Sequence, residues 1–419
     1  MLFPYLLKRI IHKGTLRLIT ADEKNYVMGT GLPYVAVKLH RKSLEWTAGL
    51  RPDLKIGEAY MDGLLTIEEG TLRDFLYLLL SNYRDVKNQP LFQWHERLTR
   101  RAGLFYQVNT LRRARNNVAY HYDLPDQLYN FFLDSDRQYS CAYFTDPDNS
   151  LEQAQLDKKR HLASKLLLDK PALKVLDIGS GWGGMGIYLA QECDCDVTGV
   201  TLSVKQYTTS RERVRATGLD KVCHFKLQDY RQEHDRYDRI ISVGMFEHVG
   251  KKNYGEFFAH IYKLLADDGV CLLHTIARFD KPQPTNAFIN KYIFPGAAVP
   301  ALSEIMEVVQ SSGLYVTDIE ILRLHYAETL KRWTSRFQHH ATEVISLYGA
   351  PFYRRWLFYL ISCEMGFRFE DLMVAQIQLS RKLETVPPTR DYMHQWEEAH
   401  QAEASPPLRQ KMSSIGDHA

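Results

Sequence analysis

Val175-Leu176-Asp177-Ile178-Gly179-Ser180-Gly181-Trp182-Gly183-Gly184 is the stretch on which the reading of this chain turns. A short apolar run with β-branched residues ends in a glycine-rich turn, and a helical pattern continues through Tyr188 and Leu189. Four glycines within six residues cost conformational entropy and bring no side chain to pack. They let the backbone approach a bound molecule closely, and the next helix presents its positive dipole end to the same place. The stretch therefore reads as a buried strand, a ligand-cradling turn and a helix.

The same alternation continues on both sides. Ser150 and Gln153 form a capping-box signature ahead of a helix running to about Leu168. Strands are predicted at Lys174–Ile178, Asp196–Val200, Cys223–Leu227, Arg239–Val243 and Val270–Thr275, with helical segments between them. A helix (Ala301–Ser311) and a strand pair (Tyr315–Leu322 and Asp371–Leu379) come next, the pair interrupted by a long helical insertion. Strand–helix alternation specifies an α/β fold: a doubly wound, mostly parallel, seven-stranded sheet with helices on both faces.

The remainder divides by composition. Residues 1–90 mix short alternating runs with helix-like stretches and read as a small α+β domain. Residues 91–118 form a basic linker, in which Arg97, Arg100, Arg101, Arg112, Arg113 and Arg115 occur with no acid between them. Residues 119–385 hold the sheet domain, and the polar, proline-containing residues 386–419 read as a disordered tail.

The 419 residues are 45% apolar and 25% charged, which excludes a fibrous or wholly disordered chain. The net charge is only +3, but it is uneven: residues 1–120 hold 19 Lys and Arg against 11 Asp and Glu. A basic end points to an anionic partner. Lys8, Arg9, Lys13 and Arg17, close to Leu6, Leu7, Ile10 and Ile11, suit a membrane surface, as does the Arg97–Arg115 segment. No nucleic-acid motif accompanies the charge. The six cysteines form no CxxC pair and no zinc-like spacing, so no metal is expected. No apolar run approaches the ~20 residues of a membrane span. The reading is a cytoplasmic protein with reduced thiols.

The residues at the end of the second strand narrow the identity of the ligand. A nicotinamide dinucleotide site wants a carboxylate there. This chain has Gly199-Val200-Thr201-Leu202-Ser203 instead. The spacing Asp-x-Gly-x-Gly-x-Gly is similar to the first motif of S-adenosylmethionine (SAM) methyltransferases. Asp229, in Gln228-Asp229-Tyr230 after the third strand, stands where a carboxylate or its neighbours can reach an adenine amino group.

Four further segments carry chemistry: the first precedes the whole sheet domain, and the other three lie at strand ends, where doubly wound sheets bind ligands. They are Tyr139-Ser140-Cys141-Ala142-Tyr143-Phe144, Met245-Phe246-Glu247-His248-Val249-Gly250, Leu272-Leu273-His274-Thr275-Ile276 and His325-Tyr326-Ala327-Glu328. Each has an ordinary reading: a capping Glu247, a core His274, an inert thiol at Cys141. Their joint placement predicts that Glu247, His274 and Tyr326 converge.

GSGWGG, VTGVTLSVKQ, ISVGMFEHVG, CLLHTIAR, INKYIFPG and QYSCAYF, in that combination, resemble the cyclopropane-fatty-acyl-phospholipid synthase family, which includes the mycolic acid cyclopropane synthases. The resemblance spans roughly residues 115–383. It implies a SAM-dependent methyltransferase that converts a cis double bond of a phospholipid acyl chain into a cyclopropane. By motif, SAM would be held by Tyr139, Ser140, Asp177, Gly179, Gly181, Trp182, Gly183, Thr201, Leu202, Ser203, Gln206, Gln228 and Asp229. The resemblance also implies a bicarbonate ion, held by the Cys141 backbone, Glu247, His274, the Ile276 backbone and Tyr326, with Cys363 nearby. It further implies a homodimer, acting peripherally on the inner face of the membrane.

The chemistry is consistent with these residue types. An alkene has no proton for a base to remove before attack. A methyl cation equivalent must be supplied, and a proton must then leave the added methyl, in a place where water would quench the cation. A small anion can be that base. Next to it Glu247 would repel unless one partner is protonated, which predicts coupled electrostatics between Glu247 and His274. Tyr143, Phe246, Tyr292 and Phe294 are candidate aromatic faces for the cation. Phe352, Trp356, Leu360, Cys363 and Phe367 share one helical face, either as core or as the wall of an acyl site. The competing readings are a related enzyme leaving a methyl or methylene branch, and a non-catalytic lipid- or SAM-binding protein.

Overall fold

The structure is a computed structural model that describes residues 1–86 and 126–400. The basic segment 91–118 lies outside the described residues, as do residues 401–419. The chain opens with α1 (Leu2–Ile10), then β1 (Gly14–Ile19), β2 (Asn25–Thr30), β3 (Tyr34–Leu39), α2 (Leu44–Leu50), α3 (Pro52–Met61), β4 (Leu65–Glu69) and α4 (Leu72–Val86). The four strands form one sheet in the order β2-β1-β3-β4. Its alternation is visible in β1, where Leu16 and Leu18 are fully buried and their neighbours are not. Asn82 on α4 ties the chain entering β1 to the helix. Its side chain accepts from the His12 and Lys13 amides and donates to the Lys13 and Leu78 carbonyls.

The second unit carries α5 (Asp126–Asn130), α6 (Leu151–Lys165), β5 (Lys174–Ile178), α7 (Gly184–Glu192), β6 (Asp196–Thr201), α8 (Val204–Thr217), β7 (Cys223–Leu227), β8 (Tyr237–Val243), α9 (Tyr254–Leu264) and β9 (Leu265–Arg278). Then come α10 (Ala287–Tyr292), α11 (Leu302–Gln310), β10 (Tyr315–Ile321), α12 (His325–His339), α13 (Ala341–Tyr348), α14 (Ala350–Phe369), β11 (Leu372–Ser380) and α15 (Asp391–Ala399). The seven strands are ordered β10-β11-β9-β8-β5-β6-β7. β9, β8, β5, β6 and β7 run parallel, β11 lies antiparallel beside β9, and the edge strand β10, antiparallel to β11, runs with the rest. This is the doubly wound sheet, with α12, α13 and α14 as the helical insertion.

Three local expectations need correction. Ser150 caps α6 by accepting from the Gln153 amide, but the Gln153 side chain turns to Asp157 (2.9 Å), so only half of the box forms. β9 is longer than its apolar run, because pairing with β11 continues to Arg278 opposite Leu372. The expected disorder from residue 386 does not hold for Asp391–Ala399, where α15 forms. Met393 and Trp396 supply it with an apolar face, and Glu397 bonds His161 on α6.

The two units share one core. Phe3, Leu18 and Phe75 belong to the same buried cluster as Phe132, Trp333, Trp356 and Phe367. Leu7 and Ile11, expected at a membrane, are buried in it as well. Gly57 on α3 lies so close to Phe288 and Phe358 that a Cβ would stand 2.5 Å from the first ring. Glu58 accepts from Lys291 (2.7 Å) and Tyr292 (2.9 Å) on α10, and Arg73 on α4 pairs with the fully buried Glu364 on α14. The Phe352–Phe367 face of α14 is core: Trp356, Leu360 and Phe367 are buried, and Phe352 and Cys363 are half-buried. Among the described residues, no helix is long and apolar enough to cross a membrane.

Candidate functional site

The glycine turn builds a cleft at the carboxyl ends of β5, β6 and β8. Gly179, Gly181 and Gly183 all take positive φ (81°, 55° and 84°), a region L side chains rarely adopt. A Cβ on Gly179 would stand 2.7 Å from the Cβ of Met245, so the turn also admits no bulk there. The cleft encloses ≈ 1140 Å³ of empty space, including its solvent mouth. It is lined by Tyr139, Ser140, Asp177, Gly179, Gly181, Trp182, Thr201, Leu202, Gln206, Gln228 and Asp229, all expected from the sequence.

Gly183 and Ser203 do not line it. Gly183 sits where α7 crosses β7, and a Cβ would be 2.7 Å from Phe225. Ser203 is buried and caps α8, accepting from the Gln206 amide. Both support the wall rather than face the ligand. Asp229 lines the cleft, but its two oxygens already accept from Arg231 (2.9 Å each). Oδ1 also accepts the Arg231 amide (3.0 Å), so Oδ2 alone keeps a second lone pair for a ligand amino group.

Several wall residues had no signal in the glycine pattern: Gln138, Met245 and His248 among them. The most informative neighbour of the wall is Lys158 on α6. It is fully buried and donates to Ser140 Oγ (2.9 Å) and to Gln138 Oε1. Gln155, one turn earlier, donates to the Ser140 carbonyl (3.0 Å). Together they hold the Gln138–Ser140 segment against the cleft. Burial pulls the Lys158 ammonium down to about 8. A lysine on the face that also carries Ala154 and Leu162 was the available clue.

The cleft residues fit SAM. The Asp177 carboxyl is buried and raised to about 7, with Oδ2 lacking a partner, and the buried Ser180 hydroxyl also lacks one. Two unsatisfied polar groups beneath a backbone cradle await a polar ligand.

The second cluster adjoins the cleft through aromatic side chains. Tyr139 OH and Tyr359 OH are 2.7 Å apart, and Phe294 lies between Tyr139 and His248. Beyond them stands Tyr326, whose hydroxyl feels Tyr359, Cys141, Glu247 and Cys363. Burial holds it well above the usual phenol range. Glu247 sits on the first 3-10 turn after β8 (Phe246–His248) and is buried. Its Oε1 accepts the Ile276 amide at 2.6 Å, and its Oε2 has no partner. Burial raises its carboxyl above the usual range. His274 is buried on the neighbouring β9, its Nδ1 3.2 Å from Gln376 Nε2. Burial, then the positive Lys158, Lys165 and His161, keep it neutral.

These positions revise four expectations. The Ile276 amide is engaged by Glu247, so it reaches an anion only by exchanging partners. Glu247 and His274 are not each other's principal perturbers; each is set by its own surroundings. Tyr143 stacks between His161 and His325, and Phe246 packs against Tyr254, Phe257 and Phe258, so neither faces the cluster. Tyr292 serves Glu58, which leaves Phe294 as the aromatic wall. Burial raises the thiols of Cys141 and Cys363, the latter to about 12, so neither is a nucleophile.

The arrangement has known counterparts. A family model for mycolic acid cyclopropane synthetase matches residues 109–377. The chain is 38% identical over 333 residues to the cyclopropane-fatty-acyl-phospholipid synthase of Escherichia coli (strain K12), covering 79% of this chain and 84% of that protein. The solved structure of mycolic acid cyclopropane synthase CmaA1 complexed with SAH and CTAB is 34% identical with a TM-score of 0.60, over 63% of this chain and 97% of that one. Coclaurine N-methyltransferase bound to N-methylheliamine and SAH shares the fold at 20% identity, with a TM-score of 0.63 over 78% of this chain and 99% of its own. The family match runs through the glycine turn, both buried strand ends and the helical insertion, and the chain belongs to the mycolic acid cyclopropane synthetase family as a SAM-dependent methyltransferase.

Proposed function

We propose that the enzyme adds a methylene from SAM across the cis double bond of an unsaturated phospholipid acyl chain, closing a cyclopropane ring. The observation that supports this most is the buried polar cluster of Glu247, His274 and Tyr326, walled off by aromatic and apolar side chains beside the cleft. When bound, SAM supplies an electrophilic methyl group, and bicarbonate supplies a proton acceptor that an apolar pocket otherwise lacks.

The chain's own groups have separable tasks. The glycine turn, Asp177 and Ser180 orient the methyl donor. Phe294 and Tyr139 bound the space between cleft and cluster and exclude water. Glu247, its carboxyl raised by burial and its Oε2 open, can in its protonated form donate to an anion rather than repel it. Tyr326, held as the neutral phenol, donates likewise. Methyl transfer would break the S–CH3 bond of SAM, release S-adenosylhomocysteine and leave the positive charge on the acyl chain; the methyl proton whose loss closes the ring would pass to bicarbonate held by Glu247, His274 and Tyr326. The net gain is one CH2.

The test is methyl transfer. Purified protein, labelled SAM and vesicles of cis-unsaturated phospholipid are incubated with and without bicarbonate, and the acyl chains are analysed by mass spectrometry and proton NMR. Upfield ring protons on chains heavier by one methylene are the expected result. A branched product would move the fate of the cation and keep the site; SAM binding without lipid labelling would sink the reaction.

The basic end and a phospholipid substrate support peripheral docking on an anionic membrane face, with Lys8 and Arg9 in the last turn of α1. A family resemblance supports a homodimer. Vesicle binding is expected to weaken as salt rises; binding indifferent to salt would reject electrostatic docking.

A further inference from the structure

A line of polar side chains, half-buried at Glu397 and Glu320 and buried from His161 and Lys165 inward, runs from α15 to His274. Glu397 meets His161 Nδ1 (2.8 Å), and Glu320 meets His161 Nε2 (2.7 Å). Glu320 also pairs with Lys165, and Lys165 Nζ donates to Gln376 Oε1 at 2.5 Å. Gln376 stands directly opposite His274 in the β9–β11 register, and its Nε2 is 3.2 Å from His274 Nδ1.

The direction of every hydrogen bond from Lys165 to the ring is forced. A lysine ammonium has donors only. The Gln376 oxygen must therefore face Lys165, and its NH2 group must face His274. An amide NH2 only donates, so His274 Nδ1 must be the acceptor. The proton of the neutral ring then sits on Nε2, the nitrogen turned away from Gln376. A flipped amide would set its NH2 against the ammonium. Lys165 is itself anchored: Gln378 Nε2 donates to its carbonyl (2.6 Å), and Glu320 holds its charge.

We propose that Gln376, locked in one amide orientation by Lys165, is a positioning residue that fixes His274 as the Nε2–H tautomer, so that this ring offers the polar cluster a hydrogen-bond donor and not a base. This rests on the reading that the cluster holds an anion. It assigns the proton-accepting step away from His274.

The test reads the ring directly. The full chain is labelled with 15N-histidine, and the His274 signals are identified by their loss in His274→Asn. Long-range 1H–15N spectra of the wild type are expected to show Nδ1 unprotonated and Nε2 protonated across neutral pH. In Gln376→Glu, a carboxylate faces Nδ1, and the pattern should convert to protonated Nδ1. Its kcat should fall on the order of 10- to 100-fold, with little change in the KM for SAM. A protonated Nδ1 in the wild type, or an unchanged ring pattern in Gln376→Glu, would overturn the proposal. The spectra need no turnover, so an inactive enzyme that keeps the Nε2–H pattern would refute the proposed reaction and leave the tautomer assignment standing.

Discussion

The cofactor cleft and the Glu247–His274–Tyr326 cluster adjoin one another but are built by opposite means. The cleft is made of backbone: one contiguous turn, three positive-φ glycines and a helix start. The cluster is made of side chains brought from β9, the turn after β8 and the first turn of α12. A turn built of backbone fails when a glycine acquires a side chain. A side-chain-built site fails when one polar atom changes. On the proposed function, the difference separates binding from turnover in one molecule.

The sharpest break in that comparison is Glu247→Gln, and alongside it Tyr326→Phe. Each is expected to lower kcat by about 10²- to 10⁴-fold while SAM affinity, measured by calorimetry, stays at the wild-type value. Near-normal turnover in both would remove the cluster from the chemistry. The converse break is Gly179→Ala. It forces a side chain into a φ of +81° and against Met245. SAM binding should weaken at least tenfold, and chemical denaturation should show a loss of about 1–3 kcal/mol. Unaltered SAM affinity would mean that the turn does not cradle the ligand.

Lys158→Met tests whether the cleft wall needs its buried anchor. Losing the bonds to Ser140 and Gln138 should weaken SAM by roughly tenfold, with kcat at saturating SAM nearly retained. A selective kcat loss would move Lys158 into the chemistry. The last effect is one of pH. Folding raises the Asp177 carboxyl from 3.8 to about 7, so the folded state prefers it protonated. The stability this contributes is complete below pH 4 and is lost as pH rises to 7. Asp177→Asn should therefore be nearly neutral in urea midpoint at pH 4 and stabilising at pH 8, by on the order of 1–4 kcal/mol. The same gain at both pH values would exclude a titrating Asp177.

The same contrast decides what was legible in advance. The sheet strands, the insertion and the glycine cleft come from local patterns: apolar runs, glycine spacing, alternation. Glu247, His274 and Tyr326 could be placed at strand ends but not oriented, because their surroundings come from elements far away in the chain. Gln376 carries no local signal for the same reason, and Lys158 only the faint one of a lysine on an apolar helix face. Each looks like an ordinary polar residue until a distant backbone segment or ring fills the space beside it. The helix at Asp391–Ala399 is hidden in the sequence because its polar composition masks Met393 and Trp396, which find cover only on the folded body.

The core shared by the small domain and the helical insertion has a consequence for synthesis. Arg73 and its partner Glu364 are 291 residues apart. At the usual translation rate of roughly 5–20 residues per second, α4 waits about 15–60 s for α14 to be made. Throughout that interval the apolar faces of α3 and α4 are exposed on the growing chain without their cover. The small domain is made well before the insertion that completes its core, and in the interval its uncovered apolar faces are open to a chaperone.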